Sequence, residues 1–342
     1  MAMGESSVLA LDLRGAEAIQ AASFVGVREP VGRAVPFPVI PAAGARTVES
    51  RGRSVPAEWN VPSFDQIEVS FDREERILWQ FMKPQLRPSF TMALLQDMRR
   101  FLAWVAQLCA QRDARGETPV RYMVLASKMP GIFNLGGDLP CFVSLIRAGD
   151  REGLRQYAHA CIDVQHSRSA HVGLPAVTLS LVQGDALGGG FEAALADDVI
   201  IAERGAKLGL PEILFNLFPG MGAYSFLARR IDPVRAEKMI LGGRVHTAEE
   251  LLDMGIVDAV VDEGRGECAV YDHVERHRRA FHAHRSIFQA RRMVNPVTKA
   301  ELIGITDMWV DAAFHLGDAD VRKMERLAAA QDRRWAAVSA RG

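Results

Sequence analysis

Three short segments hold the residues best suited to chemistry: Phe133-Asn134-Leu135-Gly136-Gly137-Asp138-Leu139, Gly188-Gly189-Gly190-Phe191-Glu192 and Gly209-Leu210-Pro211-Glu212-Ile213. Each alone has an ordinary reading. A Gly-Gly-Asp turn after an apolar run is usually just a turn. A triple glycine opening a helix serves phosphate binding or tight helix–strand packing equally well. A Pro-Glu pair at a helix start is a common capping arrangement. Their order and spacing change the weighing. Glu192 and Glu212 lie 20 residues apart, separated by one apolar run and a short polar turn. A strand out and a tight return can bring such positions back to one place. Glu192 falls in the first turn of a helix whose entrance is all glycine, which leaves backbone N–H groups uncovered and lets another molecule approach the chain closely. Exposed N–H groups beside carboxylates suit one kind of reaction: a carbonyl oxygen gains negative charge while a neighbouring carbon gains or loses a proton.

Rival constellations are poorer. None of the nine histidines sits in a nucleophile motif, and no Gly-x-Ser-x-Gly elbow is present. The His/Arg-rich stretch Asp272–Arg292 reads as a solvated helix face, with a docking patch for an acidic carrier protein or a nucleotide phosphate as the lesser reading. Cys109, Cys141, Cys161 and Cys268 form no CxxC pair. That argues against zinc and a disulfide framework and fits a reducing cytoplasm. No metal and no cofactor is expected.

The elements that must position these residues follow from the apolar pattern. Ile67–Phe71 and Ile77–Phe81 read as strands around a charged turn. Met92, Leu95, Met98, Leu102, Val105 and Leu108 recur at helical steps. Tyr122–Ala126, Ala176–Val182 and Val199–Ala202 read as buried strands, with Gly131–Leu139 as a turn and helical patterns over Leu139–Val164. Beyond Thr247 the pattern is mainly helical, with one apolar run at Ile256–Val261 and long helices expected over Glu267–Arg292 and Val297–Ala330. This order indicates an α/β fold.

Composition sets the frame. The chain has 342 residues, 49% apolar and 24% charged, with a formal net charge of −1. That is the balance of a globular protein with a sizeable core, and nothing in the total suggests nucleic acid or a membrane surface as partner. No apolar run approaches the roughly 20 residues of a membrane span. Asp12 and Arg14 interrupt the only short apolar stretch near the start, so no secretory signal is read and a cytoplasmic location is expected. Residues 1–62 are rich in proline and lack periodicity, and they are expected as a poorly ordered or loosely docked extension. A core over 63–265 and a helical region over 266–342 that covers the site and mediates oligomerisation complete the expected organisation.

Over roughly residues 63–335 the three segments resemble the signatures of the crotonase (enoyl-CoA hydratase/isomerase) superfamily. The branch that makes diffusible signal factors, cis-2-unsaturated fatty acids of bacterial quorum sensing, is the most similar. Phe-Asn-Leu-Gly-Gly-Asp at 133–138 and Gly-Met-Gly-Ala-Tyr-Ser at 220–225 narrow the resemblance to that branch. The resemblance implies a spiral of ββα units with a helical C-terminal cover. It puts the oxyanion hole on the N–H groups of Leu135 and Gly189, with Gly136 and Gly188 beside the substrate, and makes Glu192 and Glu212 the acid/base carboxylates. Glu212 is assigned to C2 and Glu192 to the departing water. The implied substrate is a 3-hydroxyacyl thioester on acyl carrier protein or coenzyme A, dehydrated to a cis-2-enoyl thioester and hydrolysed to the free acid. An ordinary enoyl-CoA hydratase of β-oxidation is the alternative, and a non-catalytic acyl-binding member is a third reading that both glutamates argue against. A signal-sensing histidine kinase partner and a homotrimer or hexamer also follow from the resemblance alone. The acyl tail needs an apolar wall. Met221, just past the Pro219-Gly220 turn, is one candidate. Trp309 and Leu327, 18 residues apart and therefore on one face of a continuous helix, are the others.

Overall fold

In the computed structural model, which describes residues 52–110 and 117–339, the apolar runs become two sheets. In chain order the strands are β1 (Ile67–Asp72), β2 (Ile77–Met82), β3 (Tyr122–Ser127), β4 (Ile132–Asn134), β5 (Val177–Val182), β6 (Asp185–Leu187), β7 (Val199–Glu203), β8 (Lys207–Gly209), β9 (Val245–Thr247) and β10 (Ala259–Val261). The helices are α1 (Met92–Leu108), α2 (Leu139–Ala148), α3 (Arg151–Ser169), α4 (Gly189–Leu195), α5 (Ala223–Arg230), α6 (Pro233–Gly242), α7 (Ala248–Asp253), α8 (Gly266–His277), α9 (Phe281–Val294), α10 (Lys299–Ala313) and α11 (Asp318–Ser339). The main sheet has the order β1-β2-β3-β5-β7-β10, parallel except for the β1–β2 hairpin. The smaller sheet has the order β4-β6-β8-β9, and its first three strands are parallel.

Alternation along the main strands divides the core. Ile77, Trp79 and Phe81 of β2 point to the face covered by Ala269, Val270 and Val274 of α8. Leu78 and Met82 point the other way, into the larger core with α1 and α3. A parallel strand covered on both faces must be apolar on both, so β2 reads as a continuous buried run. On β5 the alternate positions Thr178 and Ser180 are polar yet buried, and each is satisfied: Ser180 donates to Asp197 at 2.7 Å and Thr178 accepts from the Asp198 N–H at 3.0 Å. Asp197 also receives two bonds from the buried Arg168, at 3.1 and 2.6 Å, while a third Arg168 nitrogen reaches Gln80 at 3.2 Å.

Several expected boundaries shift. The helical pattern over Leu139–Val164 is two helices, broken where Gly149 takes φ +66° and Asp150 caps α3 by accepting from Gly153 N–H. Glu267–Arg292 divides into α8 and α9 around a 3-10 turn at Arg278–Ala280. Val297–Ala330 divides at Gly317, whose N–H donates to the Asp320 carboxylate ahead of α11. Gly131–Leu139, expected as a turn, contains the three-residue strand β4. The expectation for residues 1–51 lies outside the described residues. Residues 52–62 include a 3-10 turn at Ala57–Trp59 that packs Trp59 on Phe71, ring centroids 4.4 Å apart, while Trp104 donates its indole N–H to the Trp59 carbonyl. Among the described residues no helix is long and apolar enough to cross a membrane.

Removing one partner of a buried ion pair strands the other charge, which costs about 3–5 kcal/mol. Arg168→Ala is therefore expected to lower the unfolding free energy by about that amount in urea titrations. Replacing Arg168 and Asp197 together with apolar residues should recover much of the loss.

Candidate active site

The three motif segments meet because β4, β6 and β8 run parallel in one sheet. Parallel neighbours end at the same edge, and each motif begins where one of these strands stops. β4 leads into Leu135-Gly136-Gly137, β6 into Gly188 and α4, and β8 into the 3-10 turn Pro211–Phe215 that contains Glu212. The Gly188 N–H donates to the Gly209 carbonyl at 2.8 Å, tying the second and third segments together. The first and second segments touch directly. A Cβ on Gly190 would stand 2.0 Å from the Asn134 carbonyl oxygen, and one on Gly136 would stand 3.1 Å from the Gly189 nitrogen. Gly188, at φ +52°, turns the chain into α4 in a conformation that other residues rarely adopt.

The edge opens into a cavity of about 360 Å³ with mainly apolar walls, within the roughly 300–1,000 Å³ of small-molecule sites. Leu135, Gly136, Gly188, Gly189, Glu192, Glu212, Met221, Trp309 and Leu327, all nine residues singled out from the sequence, line it. Trp309 and Leu327 arrive from two helices, α10 and α11, and not from one helical face as the 18-residue spacing suggests; the break at Gly317 resets the phase. Trp309 packs on Gly220, where a Cβ would lie 2.6 Å from the indole ring.

The Leu135 N–H is placed differently from expectation. It donates to the Pro88 carbonyl at 2.7 Å, so it is committed within the loop and not free for an oxyanion. Its neighbour Gly136 donates to the Asn134 side-chain oxygen at 2.8 Å. The Gly136 acceptor is a side-chain oxygen and not a backbone carbonyl, although Asn134 is itself buried. Gly189 opens α4, and the first N–H groups of a helix lack intrahelical acceptors.

Both carboxylates are raised out of the ordinary range, for related reasons. Burial in the apolar wall raises Glu192 to about 7, opposed by backbone N–H bonds from Ala223 at 2.9 Å and Met221 at 2.8 Å to its Oε1. Glu212 is raised well above its ordinary value by burial and then by the neighbouring Glu192 charge. Its Oε2 is buried with no hydrogen-bond partner among the described residues. Burial disfavours charge on each group and the Glu192 charge disfavours charge on Glu212, so both are biased toward the protonated form. Charge is better received on Glu192, whose Oε1 accepts the two N–H groups of the 221–223 turn.

Sequence reasoning passed over the helices that floor the cavity. Phe142 of α2 and Tyr157, Ala158 and Cys161 of α3 also line it. Tyr157 and Cys161 are four residues apart, so the helical period places them on one face. Tyr157 donates its hydroxyl to the Phe90 carbonyl and accepts from the Asp138 N–H at 3.1 Å, holding the first glycine segment against α3. Burial pushes the Cys161 thiol well up, so it behaves as an apolar wall atom. Gln331 of α11 donates to the Leu135 carbonyl at 3.2 Å and pins the C-terminal helix over the same segment.

The fold and site define a class. The enoyl-CoA hydratase/isomerase family model matches residues 81–315, and the chain belongs to that family, within the crotonase superfamily. Among its relatives, an enoyl-CoA isomerase/hydratase of Mycosarcoma maydis is 30% identical over 184 residues, covering 52% of this chain and 62% of that protein. Rat mitochondrial methylglutaconyl-CoA hydratase is 31% identical over 168 residues, covering 46% of this chain and 48% of that protein. A fatty acid oxidation complex subunit alpha from Idiomarina loihiensis is 31% identical over 212 residues, covering 62% of this chain and 26% of that longer protein. The chain thus spans less than two thirds of each of these relatives. Human mitochondrial delta3-delta2-enoyl-CoA isomerase shares the fold with a TM-score of 0.64 at 19% identity, covering 79% of this chain and 99% of that one. Pseudomonas aeruginosa DspI superposes with a TM-score of 0.57 at 25% identity, covering 73% and 97% of the two chains.

The raised carboxyls have a consequence for stability. A carboxyl whose folded pKa exceeds its unfolded value contributes fully below the unfolded pKa and loses that contribution as pH rises through the folded one. For Glu192 the window runs from about 4.5 to about 7; for Glu212 it starts at the same ordinary value and extends upward. Glu212→Gln, which removes the charge and keeps the shape, is expected to raise Tm at pH 8 and leave it nearly unchanged at pH 4. Thermal melts at the two pH values check the sign.

The glycine contacts generate a second expectation. A Gly190→Ala methyl would meet fixed backbone, and a Gly189→Ala methyl would meet the mobile Met221 sulfur at 2.5 Å. Overpacking costs about 1–3 kcal/mol or more where nothing can yield. Gly190→Ala should therefore show the larger fall in Tm, with Gly189→Ala folding close to normally.

Proposed function

We propose that the chain eliminates water from a 3-hydroxyacyl thioester and hydrolyses the resulting cis-2-enoyl thioester to a free unsaturated fatty acid. The observation that carries this reading is a pair of buried glutamates lining one apolar cavity whose glycine-lined wall supplies backbone donors. Elimination needs a base at C2 and an acid at the departing hydroxyl, and a pair holding one proton offers both at once. The thioester oxygen becomes an enolate during elimination and a tetrahedral oxyanion during hydrolysis. One pair of N–H groups can therefore serve both steps. With Leu135 committed to Pro88, we assign these donors to Gly189 and Gly136, the latter released when Asn134 yields to substrate. The motif resemblance at 133–138 and 220–225 supports the cis-2-unsaturated signal as product, acyl carrier protein as the thioester donor, and a signal-sensing histidine kinase and a trimeric assembly as partners.

The division of labour between the glutamates is open to a direct test. With the proton on Glu212, Glu192 takes the C2 proton and Glu212 protonates the hydroxyl. The division read from the sequence, with Glu212 at C2, requires the proton to cross to Glu192 first. Exchange of the C2 hydrogen with deuterated solvent separates the two: in Glu212→Gln it persists in the first arrangement and stops in the second. In either, Glu192→Gln and Glu212→Gln should each lower dehydration by about 10²–10⁴-fold. Near-normal rates in both would remove the assignment.

The relatives' names favour a second reading, hydration of an enoyl-CoA with the thioester kept. Purified protein incubated with 3-hydroxyacyl carrier protein and with 3-hydroxyacyl-CoA decides by mass spectrometry. Release of free enoic acid supports the first reading, and thioester conserved through the whole reaction supports the second.

Met221, Trp309 and Leu327 are proposed as walls of the tail pocket. Burying a methylene is worth about 0.8 kcal/mol, or about fourfold in kcat/KM. Trp309→Ala or Leu327→Ala should therefore move the preferred chain toward longer acyl groups while both glutamates keep working. Equal loss at all chain lengths with a lowered Tm would identify these residues as structural only.

A further inference from the structure

The face of the main sheet opposite the cavity carries a cluster that the reaction does not use. His273 and His277 lie one helical turn apart on α8, and His284 faces them from α9 across the Arg278–Ala280 turn. One ring nitrogen from each lies within 4.8 Å of the other two. The rings are in contact: His277 and His284 stack with centroids 4.0 Å apart, and His273 is 4.4 Å from His277. All three side chains are half-buried. Two of their nitrogens, His273 Nε2 and His284 Nδ1, are sealed from water and have no hydrogen-bond partner among the described residues. Such groups cost stability unless something occupies them. The third histidine is already oriented. His277 Nδ1 sits 2.8 Å from the His273 carbonyl, so an N–H there donates to it and the Nε2 lone pair is left free. A backbone carbonyl that holds one ring nitrogen fixes the tautomer and aims the other nitrogen, as is usual for a metal-ligating histidine.

We propose that His273, His277 and His284 form a binding site for a divalent transition-metal cation of the zinc class, which ties α8 to α9. Three imidazole nitrogens suit zinc and its neighbours better than magnesium or calcium, which take oxygen ligands. A tetrahedral zinc at 2.0–2.1 Å sets its nitrogens about 3.3 Å apart, so the nitrogens must close by about 1.5 Å at most, and the stacked His277 and His284 rings, 9° from parallel, must also tilt for their in-plane lone pairs to converge. Half-burial leaves the fourth position for water. No lining residue of the cavity belongs to α8 or α9. The cation therefore acts on the stability of the helical pair and not on the acid/base chemistry. The proposal departs from the expectation, drawn from the scattered cysteines, that the chain holds no metal.

The test uses the untagged full chain, stripped with chelator and titrated with zinc and with cobalt(II). Expected are one cation per chain by calorimetry, the visible d–d absorption of a low-coordinate cobalt–nitrogen site, and an upward shift in Tm on zinc addition. The shift and the cobalt spectrum should be lost in His273→Gln/His284→Gln and kept in His282→Ala, an exposed histidine of the same stretch. No stoichiometric binding, or binding unchanged in the double variant, overturns the proposal. Should the double variant fail to fold, diethyl pyrocarbonate mapping of the unaltered chain decides. Zinc should protect His277 and His284 and leave His282 reactive, and equal modification with and without zinc overturns the proposal.

Discussion

Backbone packed directly on backbone at the ends of β4, β6 and β8 is the constraint on which the rest of the site depends. Gly190 meets the Asn134 carbonyl and Gly184 meets the backbone of Gly131, where a Cβ would stand 2.0 and 2.1 Å from existing atoms. These contacts draw the start of α4 into the first glycine segment. Glu192, in the same first turn, is thereby carried into the protein interior together with the positive end of its helix. The 20-residue path to Glu212 then runs out along β7 in one sheet and back along β8 in the other. Both glutamates depart from the same edge because the strands are parallel, and antiparallel pairing would have sent them to opposite ends.

That placement sets burial against function. An apolar wall disfavours charge, and two carboxyls in one wall disfavour it twice. Glu192 is relieved by two backbone donors from another segment and Glu212 only by its own backbone N–H, so chemically identical side chains differ in their hold on a proton. The asymmetry comes from the turn at Met221–Ala223, which aims two N–H groups at one carboxylate only. A site of this kind lowers the stability of the fold that contains it, a cost commonly seen where activity needs buried charge.

The main sheet separates two roles for the C-terminal helices. α10 and α11 close the cavity through Trp309 and Leu327, while α8 covers the opposite face and meets α9 at the histidine cluster. The region expected to be one helical cover is thus two pairs of helices serving different faces. The division follows from β10, which returns the chain to the edge of the main sheet before α8 begins.

How much of this was legible in the sequence depends on whether a feature is local. Long apolar periods marked α1, β2, β3 and β5, because burial on a face is written into side-chain type. Glycine at a helix entrance and acids beside it are local signals that nominate the two glutamates, the resemblance supplies the hole candidates, and all nine candidates line one cavity. The three-residue strands β4, β6 and β8 were not legible as strands, since so short a run has no period of its own and pairs only when its neighbours arrive. Helix breaks at Gly149, Gly317 and Arg278–Ala280 were hidden inside continuous apolar patterns. The phase argument that put Trp309 and Leu327 on one helix failed for that reason, although packing brought them together by another route. The commitment of the Leu135 N–H to Pro88, the two donors to Glu192 and the meeting of three histidines all join residues through folding alone. Spacing along the chain sets what can be near; only the assembled backbone decides which N–H is free and which carboxyl keeps its proton.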